Sequence, residues 1–201
     1  MDDMRQSPTA EISATAARLV VEEGLEYGPA KRRAVKLCGL SARTRLPTND
    51  ELEDAIFEYI AVFCADTQPL ELDALRQLAL RWMERMAPFR PYLSAAVWRG
   101  TATRRSDIRI DLFCDDSKSA EIALIDFKVA YVTRTANGMR GDAVDTLSVH
   151  DFCPGLEEMV GVHLLVYDHD DLRGALRLDA KGRTPRGDLV AVRQMVNQGR
   201  L

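Results

Sequence analysis

The sequence predicts an α+β protein in which a helical N-terminal half is followed by a small mixed sheet. Apolar residues recur at helical spacing over the first 87 positions, and apolar and polar residues begin to alternate beyond position 93. The composition, with 46% hydrophobic and 29% charged residues among 201, excludes collagen-like and disordered classes. We expect a helical region at residues 1–87 and an α/β region at 88–201, either as two domains or as one continuous domain.

Four helices are predicted in the N-terminal half. Serine followed by proline begins the first, glycines end the first and the second, and a proline ends the fourth. The third begins with a capping box, in which Thr48 and Glu51 stand three positions apart before an apolar stripe. The expected helices are Pro8–Glu23, Pro29–Gly39, a helix that begins after Thr48, and Leu70–Ala87.

Strands are predicted in the C-terminal half where Val, Ile, Leu and Tyr cluster or alternate with polar residues. The clearest is Ile108–Cys114, in which apolar and mostly charged residues alternate with a period of two. The stretch 136–154 contains Asn-Gly, Gly and Pro without a clear period, and we expect it to be mostly loop. The expected strands are Ser94–Arg99, Ile108–Cys114, Val129–Thr133 and Val162–Tyr167, and Asp188 begins a final helix.

Charge and hydropathy restrict the partners. The chain has 27 Lys and Arg against 31 Asp and Glu, so it lacks the overall positive charge of a typical nucleic-acid-binding protein. A basic loop, Lys181–Gly187, is expected either to close over phosphates or to connect the last two elements. No apolar run approaches the roughly 20 residues that span a bilayer, and the four cysteines form no C-x-x-C pair. We therefore expect a cytoplasmic protein without a membrane partner.

The segment Val97–Asp116, VWRGTATRRSDIRIDLFCDD, carries the most informative motif. It contains Arg-Gly-Thr-Ala-Thr at 99–103 and Ser-Asp-Ile at 106–108. It resembles the signature of nucleotidyltransferases of the DNA polymerase beta-like superfamily, in which a strand ends at Gly-Ser and the next strand opens with Ser-Asp-Ile-Asp. The resemblance implies a nucleotidyltransferase-like α/β region and Mg²⁺-dependent transfer from a nucleoside triphosphate. The acceptor, protein or nucleic acid, stays open.

The family's chemistry requires two carboxylates at positions i and i+2 of one strand. Such side chains lie on the same face, about 7 Å apart along the strand, and together they hold Mg²⁺ ions that bridge the triphosphate. The resemblance implies that Asp107 is the first metal ligand. It also implies that Gly100 and Thr101 lie near the phosphates, because a glycine lets the backbone approach a phosphate closely.

Position i+2 departs from the family pattern, because it is Arg109, a cation that does not ligate Mg²⁺. Asp111 lies on the same face but about 13 Å from Asp107 in an extended strand. Two interpretations follow. Either the protein is an Mg²⁺-dependent transferase with Asp107 and Asp111 as catalytic and metal-binding residues, or it is an inactive nucleotide-sensing or interaction module. In both, Gly100, Thr101 and Arg109 are the candidate nucleotide-binding residues.

A metal-dependent nuclease is the alternative from another class. Asp111 followed by Asp126 and Lys128 is similar to the spacing in PD-(D/E)XK nucleases, where an Asp on one strand and an acidic-x-Lys motif on the next bind a metal. That geometry requires residues 118–126 to form a strand. The Ser and Ala content of the segment favours a helix beginning at Ser117, which would remove the nuclease geometry.

Overall fold

The computed structural model describes residues 7–199, apart from the side chain of Ser117. The chain divides into two compact units, one ending at Pro69 and the other beginning at Leu70. Within the described residues, no helix is both long and apolar enough to cross a membrane. The architecture is α+β, as predicted, with helices in the N-terminal half and a mixed sheet in the C-terminal half.

The first unit is a helical layer around its own apolar core. It contains α1 (Pro8–Glu23), α2 (Tyr27–Leu37) and α3 (Asn49–Phe63). α1 has the predicted bounds, α2 begins two residues before the expected Pro29, and the capping box of Thr48 and Glu51 is present. Large side chains in the core, all less than 2% exposed, are Ile12, Leu19, Leu52 and Ile56.

The described residues of the second unit form five helices and a six-stranded sheet. Its helices are α4 (Gln68–Arg85, which begins at the unit boundary), α5 (Ala95–Arg99), α6 (Ser117–Asp126), α7 (Leu172–Ala175) and α8 (Leu189–Gln198). Its strands are β1 (Tyr92–Ser94), β2 (Ile108–Cys114), β3 (Val132–Asn137), β4 (Ala143–Cys153), β5 (Glu158–Asp168) and β6 (Gly187–Asp188). Single 3₁₀ turns occupy Ala87–Phe89 and His169–Asp171.

The sheet has the strand order β3-β4-β5-β2-β1-β6. β2 and β5 pair in parallel, and every other neighbouring pair is antiparallel. One face of the sheet packs on α4, α5, α6 and α8 and forms the main core of the unit. Central core residues, all at most 2% exposed, are Leu75, Leu78, Val97, Ile108, Ile110, Leu112, Leu124, Leu147, Leu164 and Val192.

Two predicted elements are wrong. Residues 95–99, expected in a strand, form α5, because the two alanines favour a helix and Gly100, with a φ of 89°, ends it after five residues. The stretch 136–154, expected to be mostly loop, contains most of β4. In β4 the residues alternate between Leu147 and Val149 in the core and the buried polar Thr146 and Ser148 on the other face, so no apolar run marks the strand.

Other predictions differ only at their ends. Residues 117–126 form a helix, the favoured alternative, although Asp116 rather than Ser117 is its N-cap. The strand expected at Val129–Thr133 begins later, at Val132. The final helix is capped by the Asp188 side chain, as expected. Local caps therefore agree with the sequence prediction better than strand ends do.

Gly187→Ala tests how closely β6 approaches α5. A Cβ at this position would lie 2.0 Å from Cζ3 of Trp98, and Trp98 Nε1 already donates a hydrogen bond of 2.8 Å to the Thr184 carbonyl. We expect overpacking to lower the free energy of unfolding by about 1–3 kcal/mol, measured by urea denaturation. Gly174→Ala is the control, because the nearest atom there is 3.9 Å away, on Arg140. Equal effects of the two substitutions would contradict the close approach.

Candidate functional site

The second face of the sheet is polar over its central strands. The strand register places Arg109 beside His163, and His163 beside Ser148. Two residues further along β2, it places Asp111 beside Leu165, and Leu165 beside Thr146. Residues level with each other on neighbouring strands project from the same face. We call this surface the polar face, defined by Arg109, Asp111, His163, Ser148 and Thr146.

One end of this second face is covered by residues 169–186, the covering segment. Phe113 and Tyr167 stack with their ring centroids 5.5 Å apart, and Leu165 and Ala175 pack in the same small apolar cluster. Arg186 Nη1 also donates a hydrogen bond of 2.8 Å to the Ala175 carbonyl, which closes the segment on itself. The covering segment therefore leaves the Arg109 and His163 end of the polar face as the part open to a ligand.

Asp111 is the most deeply buried charged group of the site. Its side chain is 0% exposed, and it accepts hydrogen bonds from Arg186 Nε at 2.5 Å and from Arg109 Nε at 3.4 Å. A carboxylate taken out of water needs such partners, since an unpaired buried charge is strongly destabilising. Two guanidinium groups therefore share one carboxylate, which neutralises only one of their two charges.

A second ion pair anchors the covering segment. Asp179 accepts from the N–H of Arg183 at 2.8 Å and from Arg99 Nη1 at 2.8 Å. The Arg183 N–H and the Arg99 guanidinium hold the pKa of the Asp179 carboxyl well below its usual range. The basic loop Lys181–Gly187 thus does lie over the sheet, where Arg186 contacts a carboxylate of the protein itself.

Asp107, one residue before β2, contacts the neighbouring strand β5. Its Oδ1 accepts from the Gly161 N–H at 3.2 Å, and its Oδ2 is 3.0 Å from His163 Nε2. Only glycine permits this approach, because a Cβ at Gly161 would lie 2.7 Å from the Asp107 carboxylate. The hydrogen bond from His163 holds the pKa of the Asp107 carboxyl below its usual value, and the Gly161 N–H and nearby His150 add to the effect. Asp107 is therefore ionised at neutral pH and acts as an acceptor.

His163 connects Asp107 to β4. Its Nδ1 is 2.9 Å from Ser148 Oγ. An ionised carboxylate only accepts, so Nε2 carries a proton toward Asp107; in the neutral ring Nδ1 then accepts from the Ser148 hydroxyl. Both ring nitrogens are satisfied, and the row holds Asp107, just before β2, together with one side chain from β5 and one from β4.

Arg109 lies between these groups and the buried Asp111. Its Nη2 donates to Tyr167 Oη at 3.2 Å, and its side chain is still 36% exposed. Burial raises the pKa of the Tyr167 hydroxyl, which therefore stays a neutral acceptor. Asp111 and Tyr167 hold the guanidinium in place, while part of it faces solvent.

The other predicted site residues do not join this surface. Gly100 ends α5, and Thr101 is 3% exposed with its N–H bonded to the Ala96 carbonyl at 3.0 Å, so the Thr101 side chain is not open to a phosphate. Asp126 is the last residue of α6, and Lys128, two residues later, lies beyond the helix with a φ of 56°. The nuclease alternative requires residues 118–126 to form a strand, but they belong to helix α6. The side-chain geometry of a PD-(D/E)XK site is therefore not met.

The donor set does not fit the Mg²⁺ site implied by the family resemblance. Asp111 is committed to two arginines, and Arg109 separates it from Asp107 on the strand. In the part of the chain that the structure describes, no group of three or more His, Cys, Asp or Glu side chains is arranged to hold a metal ion.

Comparison with known proteins identifies no relative: no family model, no curated protein and no solved structure matches the chain. The resemblance of residues 97–116 to nucleotidyltransferases thus stays a prediction from the motif.

Sequence reasoning missed five residues of the site: His163, Ser148, Arg186, Thr146 and Tyr167. In the sequence, His163 is indistinguishable from an ordinary histidine within a strand, and Ser148 lies in the stretch expected to be loop. Arg186 lies in the basic loop, for which the sequence did not decide between closing over phosphates and connecting two elements. The alternation in residues 144–150 is the signal that could have identified Ser148 as part of a strand. Nothing local in the sequence pairs Arg186 with Asp111, 75 positions earlier.

Asp111→Asn tests the buried carboxylate. The substitution leaves two facing guanidinium groups without their counter-charge, so we expect the free energy of unfolding to fall by about 3–5 kcal/mol, measured by urea denaturation. Glu84→Gln is the control, because it breaks a surface pair with Arg193 in which both side chains are 48% exposed. It should cost less than about 1 kcal/mol. A similar loss in both variants would show that Asp111 has no special role.

Asp107→Asn tests the hydrogen bonds of the Asp107 carboxylate. The folded-state pKa is lowered, so the stabilisation is present above the unfolded value of about 3.9 and is lost as the pH falls through the folded-state pKa. Urea unfolding measured from about pH 5 to pH 2 should therefore have a flatter pH dependence in the variant than in the parent. Identical slopes would contradict the assigned bonds.

Proposed function

We propose that the second unit is a non-catalytic nucleotide-binding module that holds phosphate directly through Arg109. The observation that carries the proposal is the arginine at the strand position where the resembling enzymes have their second metal-binding carboxylate. In those enzymes the metal ions supply positive charge to the triphosphate. A guanidinium supplies positive charge without a metal, and it binds phosphate oxygens through two parallel N–H groups.

The surroundings of Arg109 suit this role. Asp111 and Tyr167 contact one side of the guanidinium, so the side chain loses little further freedom when a ligand binds. Arg186 shares the Asp111 carboxylate, which keeps that carboxylate from fully cancelling the charge of Arg109. The exposed part of Arg109 therefore offers N–H donors and positive charge to an anion.

Catalysis of nucleotidyl transfer has no comparable support. Transfer by the family's chemistry uses two or more carboxylates around shared Mg²⁺ ions. Here Asp107 is bonded to His163 and Gly161, and Asp111 is buried between arginines. Binding without transfer is the function that these contacts favour.

The proposal is tested by thermal unfolding with each of the four ribonucleoside triphosphates, in EDTA and in Mg²⁺. A ligand that binds the folded state raises the melting temperature by mass action. We expect at least one triphosphate to raise it in EDTA, and Mg²⁺ to add nothing or to weaken the effect by neutralising the phosphates. Arg109→Gln should abolish the rise.

Two further variants make this result specific. Arg109→Lys keeps a cation but loses the planar fork, so it should retain only part of the rise. Arg193→Gln removes an arginine from α8, which packs on the helix-covered face, and should leave the rise intact. Absence of any rise with all four triphosphates, or a rise that requires Mg²⁺, would refute the proposal.

Arg109→Asp tests the same idea in the opposite direction. It places carboxylates at positions i and i+2 of the strand and should create a stabilisation by Mg²⁺ that the parent lacks. The measurement is the melting temperature of parent and variant over a Mg²⁺ titration. A parent that already responds to Mg²⁺ would contradict a metal-independent module.

A further inference from the structure

Asp107 and Arg109 offer opposite hydrogen-bonding groups at a set spacing. They stand at positions i and i+2 along one extended segment, so their side chains leave the same face about 7 Å apart along the strand. One is a carboxylate that accepts and the other a guanidinium that donates. A ligand that satisfies both carries hydroxyl or amine donors at one end and hydrogen-bond acceptors, such as phosphate oxygens, at the other.

The Asp107 carboxylate has acceptor capacity left for a ligand. A carboxylate has about four lone-pair positions, and the contacts to Gly161 and His163 use two of them. The side chain is 58% exposed, so the remaining positions face solvent. Because Gly161 and His163 of β5 contact the two carboxylate oxygens, the orientation of the carboxylate is fixed.

Arg109 has donor capacity left in the same way. A guanidinium has five N–H groups; Asp111 and Tyr167 each take one. The negative Asp107 repels phosphate, so an anionic ligand group must lie toward Arg109 rather than toward Asp107. The pair therefore orients a ligand as well as binding it.

A ribonucleotide has this arrangement of groups. Its 5′-phosphate and its 2′,3′-diol lie on opposite sides of one sugar ring, a separation of the same order as the spacing of the two side chains. On the condition that the proposed function holds, we infer that the polar face selects ribonucleotides: the sugar hydroxyls donate to Asp107 and the phosphate accepts from Arg109. An analogue that lacks the hydroxyls cannot make the hydrogen bond to the charged carboxylate and should therefore bind more weakly.

The test compares each ribonucleoside triphosphate with its 2′,3′-dideoxy form, by calorimetric titration of the full chain in EDTA. We expect the dideoxy form to bind at least about tenfold more weakly, since it cannot donate a hydrogen bond to the charged carboxylate. The 2′-deoxy form should fall between them. In Asp107→Asn the affinity for the ribonucleotide should fall to nearly that for the dideoxy form. The ratio of the two affinities should therefore approach one.

Asp126→Asn is the matched control, since it makes the same chemical change at the end of α6, on the helix-covered side of the sheet, and should keep the full ratio. Equal binding of ribo and dideoxy forms to the parent overturns the inference and leaves the proposed function standing. A ratio that survives in Asp107→Asn also overturns it. If no nucleotide binds, both fail. If Asp107→Asn does not fold, the affinities of the parent protein for the ribo, 2′-deoxy and 2′,3′-dideoxy triphosphates decide whether the inference stands.

Discussion

The buried carboxylate of Asp111, bonded to Arg109 and Arg186, is the constraint on which the second unit depends. A charge with no exposure to water requires its partners to stay in place. Arg186 can stay only if the covering segment lies over the sheet, and Arg109 is held at the border between the covered and open parts of the polar face. One ion cluster thus joins the C-terminal part of the chain to the central strand and orients the exposed guanidinium.

The two faces of the sheet have different roles. The apolar face packs on four helices and supplies the large core that stabilises the unit. The polar face contributes less apolar burial but contains a connected row, in which Asp107, just before β2, is bonded to His163 of β5 and His163 to Ser148 of β4, with each polar atom paired. Satisfied networks of this kind rigidify their members. Rigid side chains on strands form a better defined ligand site than side chains on loops do.

Elements with local signals were predicted from the sequence. The bounds of α1, the capping box of α3 and the period-two strand β2 follow from residues within a few positions of one another. β4 was missed because alternate residues face a polar surface, and hydrophobicity is what sequence patterns mainly report. The segment of α5 was assigned to a strand because a five-residue helix leaves too little periodicity to distinguish the two.

The sequence by itself determined the α+β class, the main helices and the placement of Asp107, Arg109 and Asp111 on one side of one strand, because each of these depends on near neighbours and on backbone periodicity. Only the tertiary structure decided what those three side chains contact. His163, Tyr167 and Arg186 are 56, 58 and 75 positions from their partners. Such pairings are selected by how the strands and the covering segment pack together, and no local pattern along the chain encodes them.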